Sequence, residues 1–133
     1  MRLQIAFALI LAGVTLSGLP ALAAPRTADP VKTFDTDNDG TLDLVEAKKA
    51  AAAAFAKLDR DHEGTLDVRE LRGRLSAKDL KTADPDHDGT LTMDEYLAVV
   101  EQRFNAANPD QDGTLDGKEL AKPAGRALLR LLR

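Results

Sequence analysis

The chain has 133 residues, 44% of them hydrophobic but only 4% aromatic, and a formal net charge of −4. That length suits one small domain, and so few large side chains leave a thin core that needs another source of folding energy. The absence of cysteine excludes disulfides and thiolate metal sites, and the clustering of acidic residues excludes a basic nucleic-acid face.

Met1–Ala23 has the form of a secretory signal peptide. Arg2 supplies a minimal positive start, Leu3–Leu16 is an apolar run broken by Gln4, and Pro20 precedes the small-residue cleavage site Ala21-Leu22-Ala23. An uncleaved membrane anchor is the alternative, against which the run is short for a span. The mature chain is expected to start at Ala24, with a flexible leader over residues 24–30 and a single metal-binding domain over 31–133.

The first polar loop, Asp35–Glu46, reads DTDNDGTLDLVE. This is the EF-hand form, with acids at loop positions 1, 3, 5, 9 and 12. Asp35, Asp37, Asp39, Asp43 and Glu46 are its candidate ligands, and Thr41 offers a backbone carbonyl at position 7. Gly40 at position 6 permits the sharp turn. The pattern recurs three times. Loop two, Asp59–Glu70, offers Asp59, Asp61, Glu63, Thr65, Asp67 and Glu70. Loop three, Asp84–Glu95, offers Asp84, Asp86, Asp88, Thr90 and Glu95. Loop four, Asn108–Glu119, offers Asn108, Asp110, Asp112, Thr114, Asp116 and Glu119. One such loop can arise by chance; four, each closing on Glu, indicate metal binding rather than a merely acidic surface. Of 22 acidic residues, only Asp29, Asp79 and Glu101 fall outside the loops. The negative charge is thus gathered into four knots.

Val31–Phe34 leaves one turn of helix before loop one. Glu46–Leu58 and Tyr96–Ala107 are each predicted as one continuous helix, since only 12 residues part the flanking loops. The first contains a nearly pure Ala–Lys run of top helix propensity. Leu71–Ala83 reads as two stubby helices and a bend, with Gly73 as the break and Ser76 with Asp79 as a cap. A straight 12-residue helix holds its ends about 18 Å apart. Loops one and two therefore cannot lie side by side, nor three and four. The bend pairs loop two with three, and the antiparallel long helices pair one with four. Leu42, Leu66, Leu91 and Leu115 at position 8 carry the pairing. Lys122–Arg133 is predicted as a closing helix with Ala127, Leu128, Leu131 and Leu132 on its apolar face; an amphipathic membrane helix is the alternative. The expected fold is all-α, a compact three-helix bundle carrying four EF-hand loops.

Ligand counts leave the ion open. Attraction grows with ion charge, but desolvation grows with its square. The short loop spacing, Pro at position 2 in Asp84-Pro85-Asp86 and Asn108-Pro109-Asp110, and the ending AANPDQDGTLDGKELAKPAGRALLRLLR resemble the lanmodulin family. The resemblance covers essentially the whole chain, signal peptide included. It implies a periplasmic protein of methylotrophic bacteria that binds trivalent lanthanides far better than calcium and becomes compact on binding. It also implies a three-helix bundle, ligands at positions 1, 3, 5, 7, 9 and 12, and a weak fourth loop, matching Asn108. Thr36 and Arg60 at position 2, Glu63 at position 5 and Thr92 at position 9 depart from the family pattern. His62 and His87 at position 4 point away from a hard ion.

The expected function is therefore lanthanide(III) binding coupled to folding, in periplasmic uptake or trafficking. The alternative is a Ca2+ buffer or an interaction module of the periplasm. No nucleophile–base pair suggests an enzyme. Nothing suggests a membrane once the signal is removed, and the sequence identifies no protein partner.

Overall fold

The computed structural model describes residues 29–133; the expected signal peptide and most of the expected leader lie outside the described residues. The architecture is helix-rich. A one-turn helix α1 (Pro30–Phe34) enters loop one, and a two-residue strand β1 (Leu42–Asp43) leads into α2 (Leu44–Leu58). Loop two carries β2 (Thr65–Leu66) and is followed by turns and α3 (Ala77–Ala83). Loop three carries β3 (Leu91–Thr92) and feeds α4 (Met93–Ala107); loop four carries β4 (Thr114–Leu115) and feeds α5 (Gly117–Ala121) and α6 (Pro123–Leu129).

The two long helices start on capping boxes. The Asp43 carboxylate accepts from the Glu46 amide, and the Thr92 hydroxyl oxygen accepts from the Glu95 amide, while each glutamate reaches back to the cap amide. Between them α2 and α4 bury Ala47, Ala51, Ala54, Phe55, Tyr96, Val99, Val100 and Phe104. The alanines let the two helices approach closely. Phe55 and Tyr96 meet edge to face, centroids 5.7 Å apart at 67°. The Lys48–Glu101 pair, at 2.6 Å, ties the helices at the half-open surface and contributes at most about 1 kcal/mol.

Two minimal antiparallel ladders join the loops. Leu42 faces Leu115 and Asp43 faces Thr114 in one; Thr65 faces Thr92 and Leu66 faces Leu91 in the other. All four leucines are fully buried. The ladders supply partners for loop backbone that would otherwise be buried unpaired.

One predicted element takes a different form. Only one α-helix, α3, forms between loops two and three. The chain after loop two runs through turns closed by Leu71 N–H to Asp67 O at 3.0 Å and Arg74 N–H to Leu71 O at 2.9 Å. Gly73 there takes φ +81°, a left-handed conformation that a helix cannot continue through. The closing helix expected over Lys122–Arg133 is α6, opened by Pro123 and ending at Leu129, and it meets the short α5 at Lys122. They pack so tightly that a Cβ on Gly125 would collide with the Glu119 carbonyl and the Leu120 backbone. Past α6, Leu131 and Leu132 are buried, and the Tyr96 hydroxyl donates to the Leu131 carbonyl at 2.7 Å. Burial pushes the Tyr96 phenol up to about 12.

Candidate metal centres

Loops one to three each turn around their first residue. In loop one the Asp35 carboxylate accepts from the amides of Asn38 at 2.6 Å and Gly40 at 2.9 Å. In loop three Asp84 accepts from Asp88 and Gly89. Loop two keeps the Gly64 amide on Asp59 at 3.1 Å. The position-6 glycines sit at φ 86–91°. Position 4 is also left-handed, at φ 58–61°, and is filled by Asn38, His62, His87 and Gln111. Asn and His are enriched among non-glycine residues in that region, which gives the two histidines a backbone role.

The remaining polar groups order the ligand atoms. Thr41 and Thr90 each donate both amide and hydroxyl to the position-5 aspartate, at 2.7–2.8 Å, and Thr114 does so to Asp112 at 2.9 and 3.0 Å. In loop two the longer Glu63 keeps only the Thr65 hydroxyl, at 3.1 Å. Beyond the backbone carbonyl that position 7 offers, the threonine hydroxyls aim the neighbouring carboxylate. Position 9 likewise has a second task. Asp43, Asp67, Thr92 and Asp116 each accept from the amide of the position-12 glutamate, which caps the exiting helix in loops one, three and four and closes the turn after loop two. Thr92 thus keeps the cap while giving up the charge. The D-x-x-E and T-x-x-E spacings already carry this signal.

Three groups of acidic ligand atoms each lie within 4.8 Å of one another: Asp35, Asp37 and Asp39; Asp59, Asp61 and Glu70; Asp84, Asp86 and Glu95. Glu46 and Asp43 stand outside the first group, Glu63 and Asp67 outside the second, and Asp88 outside the third. Loop four, with the neutral Asn108 at position 1, forms no such group of three from Asp110, Asp112, Asp116 and Glu119.

Five polar residues are buried in the described chain: Glu46, Asp59, Asp84, Asn108 and Glu119. Every one stands at loop position 1 or 12. The Oδ1 atoms of Asp59 and Asn108 are buried with no hydrogen-bond partner. An unpaired buried oxygen is costly, and a cation at the centre of the loop would satisfy it. The oxygen-only donor set fits a hard ion of high coordination number.

Crowding shows in the titration of neighbours. Burial works upward on Asp35, but the amides of Gly40 and Asn38 and the Asp37 side chain hold its carboxyl below the usual range. Asp37 is raised: the Asp39 amide draws it down, but burial, repulsion from Asp39 and Glu46, and the hydrogen bond shared with Asp35 outweigh that. In loop three the hydrogen bond shared with Asp84 is the main cause that lifts Asp86, with burial and the charges of Asp88 and Glu95 adding to it. Burial works upward on Asp84 as well, and the Gly89 amide and Asp86 side chain bring it below the usual range. Without a cation, each of these loops resists holding its full charge.

An EF-hand family model matches residues 51–76, which contain loop two and the turn after it. Lanmodulin of Methylorubrum extorquens is 55% identical over 81 residues, which are 59% of this chain and 59% of that protein. The match thus spans about three fifths of the length of that curated relative. Among the described residues no helix is long and apolar enough to cross a membrane.

Proposed function

We propose that this chain, a lanmodulin-like protein carrying EF-hand metal-binding loops, binds trivalent lanthanide ions and folds as it binds them. The observation that carries the reading is the placement of all five buried polar residues at loop position 1 or 12. Metal-free, these loops gather like charge around buried oxygens, against a core made largely of alanine and leucine. A cation at each centre removes the repulsion and fixes two helix ends, so binding energy becomes folding energy. The ligands are then the residues at positions 1, 3, 5, 7, 9 and 12 of each loop, except Thr92, which has no acid to give. The long helices α2 and α4, closed by α6, act as a three-helix bundle, with loops one and four and loops two and three working as pairs. The Leu42–Leu115 and Leu66–Leu91 ladders support that pairing.

The choice of a trivalent ion rests on the likeness to lanmodulin. So does a periplasmic site of action in lanthanide uptake or trafficking, reached through the signal peptide at residues 1–23 with a flexible leader after it. Calcium is the second reading, because the donor set is oxygen throughout and the family model matched is a general EF hand.

A competitive titration of the chain from Ala24 onward tests this. Micromolar lanthanide is expected to raise helical circular dichroism, while millimolar calcium does much less. Equal responses at equal free concentration turn the reading to calcium, and full helicity in excess chelator removes metal-coupled folding altogether. Tyr96, next to Glu95, is expected to sensitise terbium emission from loop three, and Tyr96→Leu to abolish it.

A further inference from the structure

Loop two differs from the others in what surrounds it. A cavity of about 640 Å³ opens beside it, lined by Arg60, Arg69, Arg72 and Arg74 together with Asp61, Asp67, Glu70 and Leu58. Arg60 and Arg69 belong to the loop itself, at positions 2 and 11. The equivalent positions hold Thr36 and Val45 in loop one, Pro85 and Asp94 in loop three, and Pro109 and Lys118 in loop four. Arg72 and Arg74 project from the turn after the loop. That turn is pinned by Leu71, 1% exposed, and by its bonds to Asp67, Arg74 and Leu75.

The four arginines share this cavity with three carboxylates of loop two, yet among the described residues the only side-chain ion pairs within 4.0 Å are Lys48–Glu101 and Arg103–Asp79. Arg60, Arg69 and Arg72 therefore have no carboxylate in ion-pair reach. Arg74 shows what such a group takes here: its Nε, at 3.1 Å, and its Nη2 both donate to one main-chain oxygen of Arg133, the last residue in the sequence. Arginine rather than lysine supplies every basic group of the cavity, and its planar fork matches oxyanions.

We propose that this cavity is a binding site for a small multivalent oxyanion, of the polycarboxylate kind, and that it fills together with loop two. The coupling follows from charge. Unfilled, the loop-two acids repel an anion from the arginines, and the arginines repel a cation from the loop. With both in place each cancels the other's repulsion, so each raises the other's affinity by the same factor. A polycarboxylate that arrives with the ion can stay on the arginines as the ion passes to the loop. This rests on the metal-binding reading given above.

The test titrates tricarballylate, which lacks the chelating hydroxyl of citrate, into the full mature chain by calorimetry at low ionic strength. Sulfate is the parallel arm, distinguishing a tetrahedral oxyanion from a carboxylate. Lanthanide loading is first followed by circular dichroism without either anion, and a silent chain at that stage sinks the metal reading and this one together. With loading established, the loaded wild type is expected to bind tricarballylate more tightly than sulfate. R69Q/R72Q is expected to bind it roughly tenfold more weakly or worse, with its metal-induced dichroism unchanged. Absence of binding to the loaded wild type, unchanged binding by R69Q/R72Q, or equal binding by the metal-free chain each overturns the proposal. Sulfate bound as tightly as tricarballylate overturns the polycarboxylate assignment.

Discussion

Loops one and two hold their closing glutamate differently from loops three and four. The Thr36 amide and hydroxyl reach one Glu46 oxygen at 2.6 and 3.1 Å, and the Arg60 amide reaches Glu70 at 2.9 Å. Proline has no amide hydrogen, so Pro85 and Pro109 give Glu95 and Glu119 no such bond. There the capping residue alone holds the glutamate, through the Thr92 amide and hydroxyl at 2.8 and 2.9 Å or the Asp116 amide at 3.1 Å. One ligand type thus has two modes of support. In the first two loops it is clasped from both ends of the loop, and in the last two it is held only from the helix side.

The largest effect comes from removing the glutamate charge. Glu46→Gln and Glu95→Gln are each expected to weaken their own loop by on the order of tenfold or more toward a trivalent ion. Terbium luminescence and site-resolved NMR would measure this; equal losses at all four loops would mean that the loops do not act as distinct centres. Asn108→Asp adds a charge at a buried position and is expected to raise loop-four affinity by about tenfold, read in the same titration. Thr92→Ala removes both the cap and a donor to Glu95, and is expected to lower the stability of the loaded chain by about 1 kcal/mol in thermal unfolding. Thr36→Pro makes loop one resemble loop three. It removes two donors from the buried Glu46 carboxylate, a loss partly offset by the stiffer unfolded chain, and is expected to cost about 1 kcal/mol or less in the same measurement. Asp35 already has the extended ψ of 104° that a following proline requires, so the backbone accepts the change.

The helices and loops were legible because the sequence is punctuated at fixed intervals. D-x-D-x-D-G places acids and a left-handed glycine together, and a 12-residue gap allows only one helix between loops. The bonds inside the loops were less legible. That the Thr41 hydroxyl turns to Asp39 depends on φ and ψ at Asn38 and Gly40, which no periodicity encodes. The turn after Glu70 was misjudged because Gly73 was given too small a role. As a helix interruption it costs about 1 kcal/mol, but in the left-handed region it redirects the chain. Pro123 was visible as a helix start, while the short α5 before it is stabilised by the Asp116–Glu119 capping box.

Gly125 carries a consequence for the fourth loop. Its missing side chain is the clearance that seats α6 on the peptide of Glu119. A single methyl group there would act as a wedge. It would lever the closing segment away from the very residue whose carboxylate ends the loop, and the far end of the molecule would decide how well its last ion is gripped.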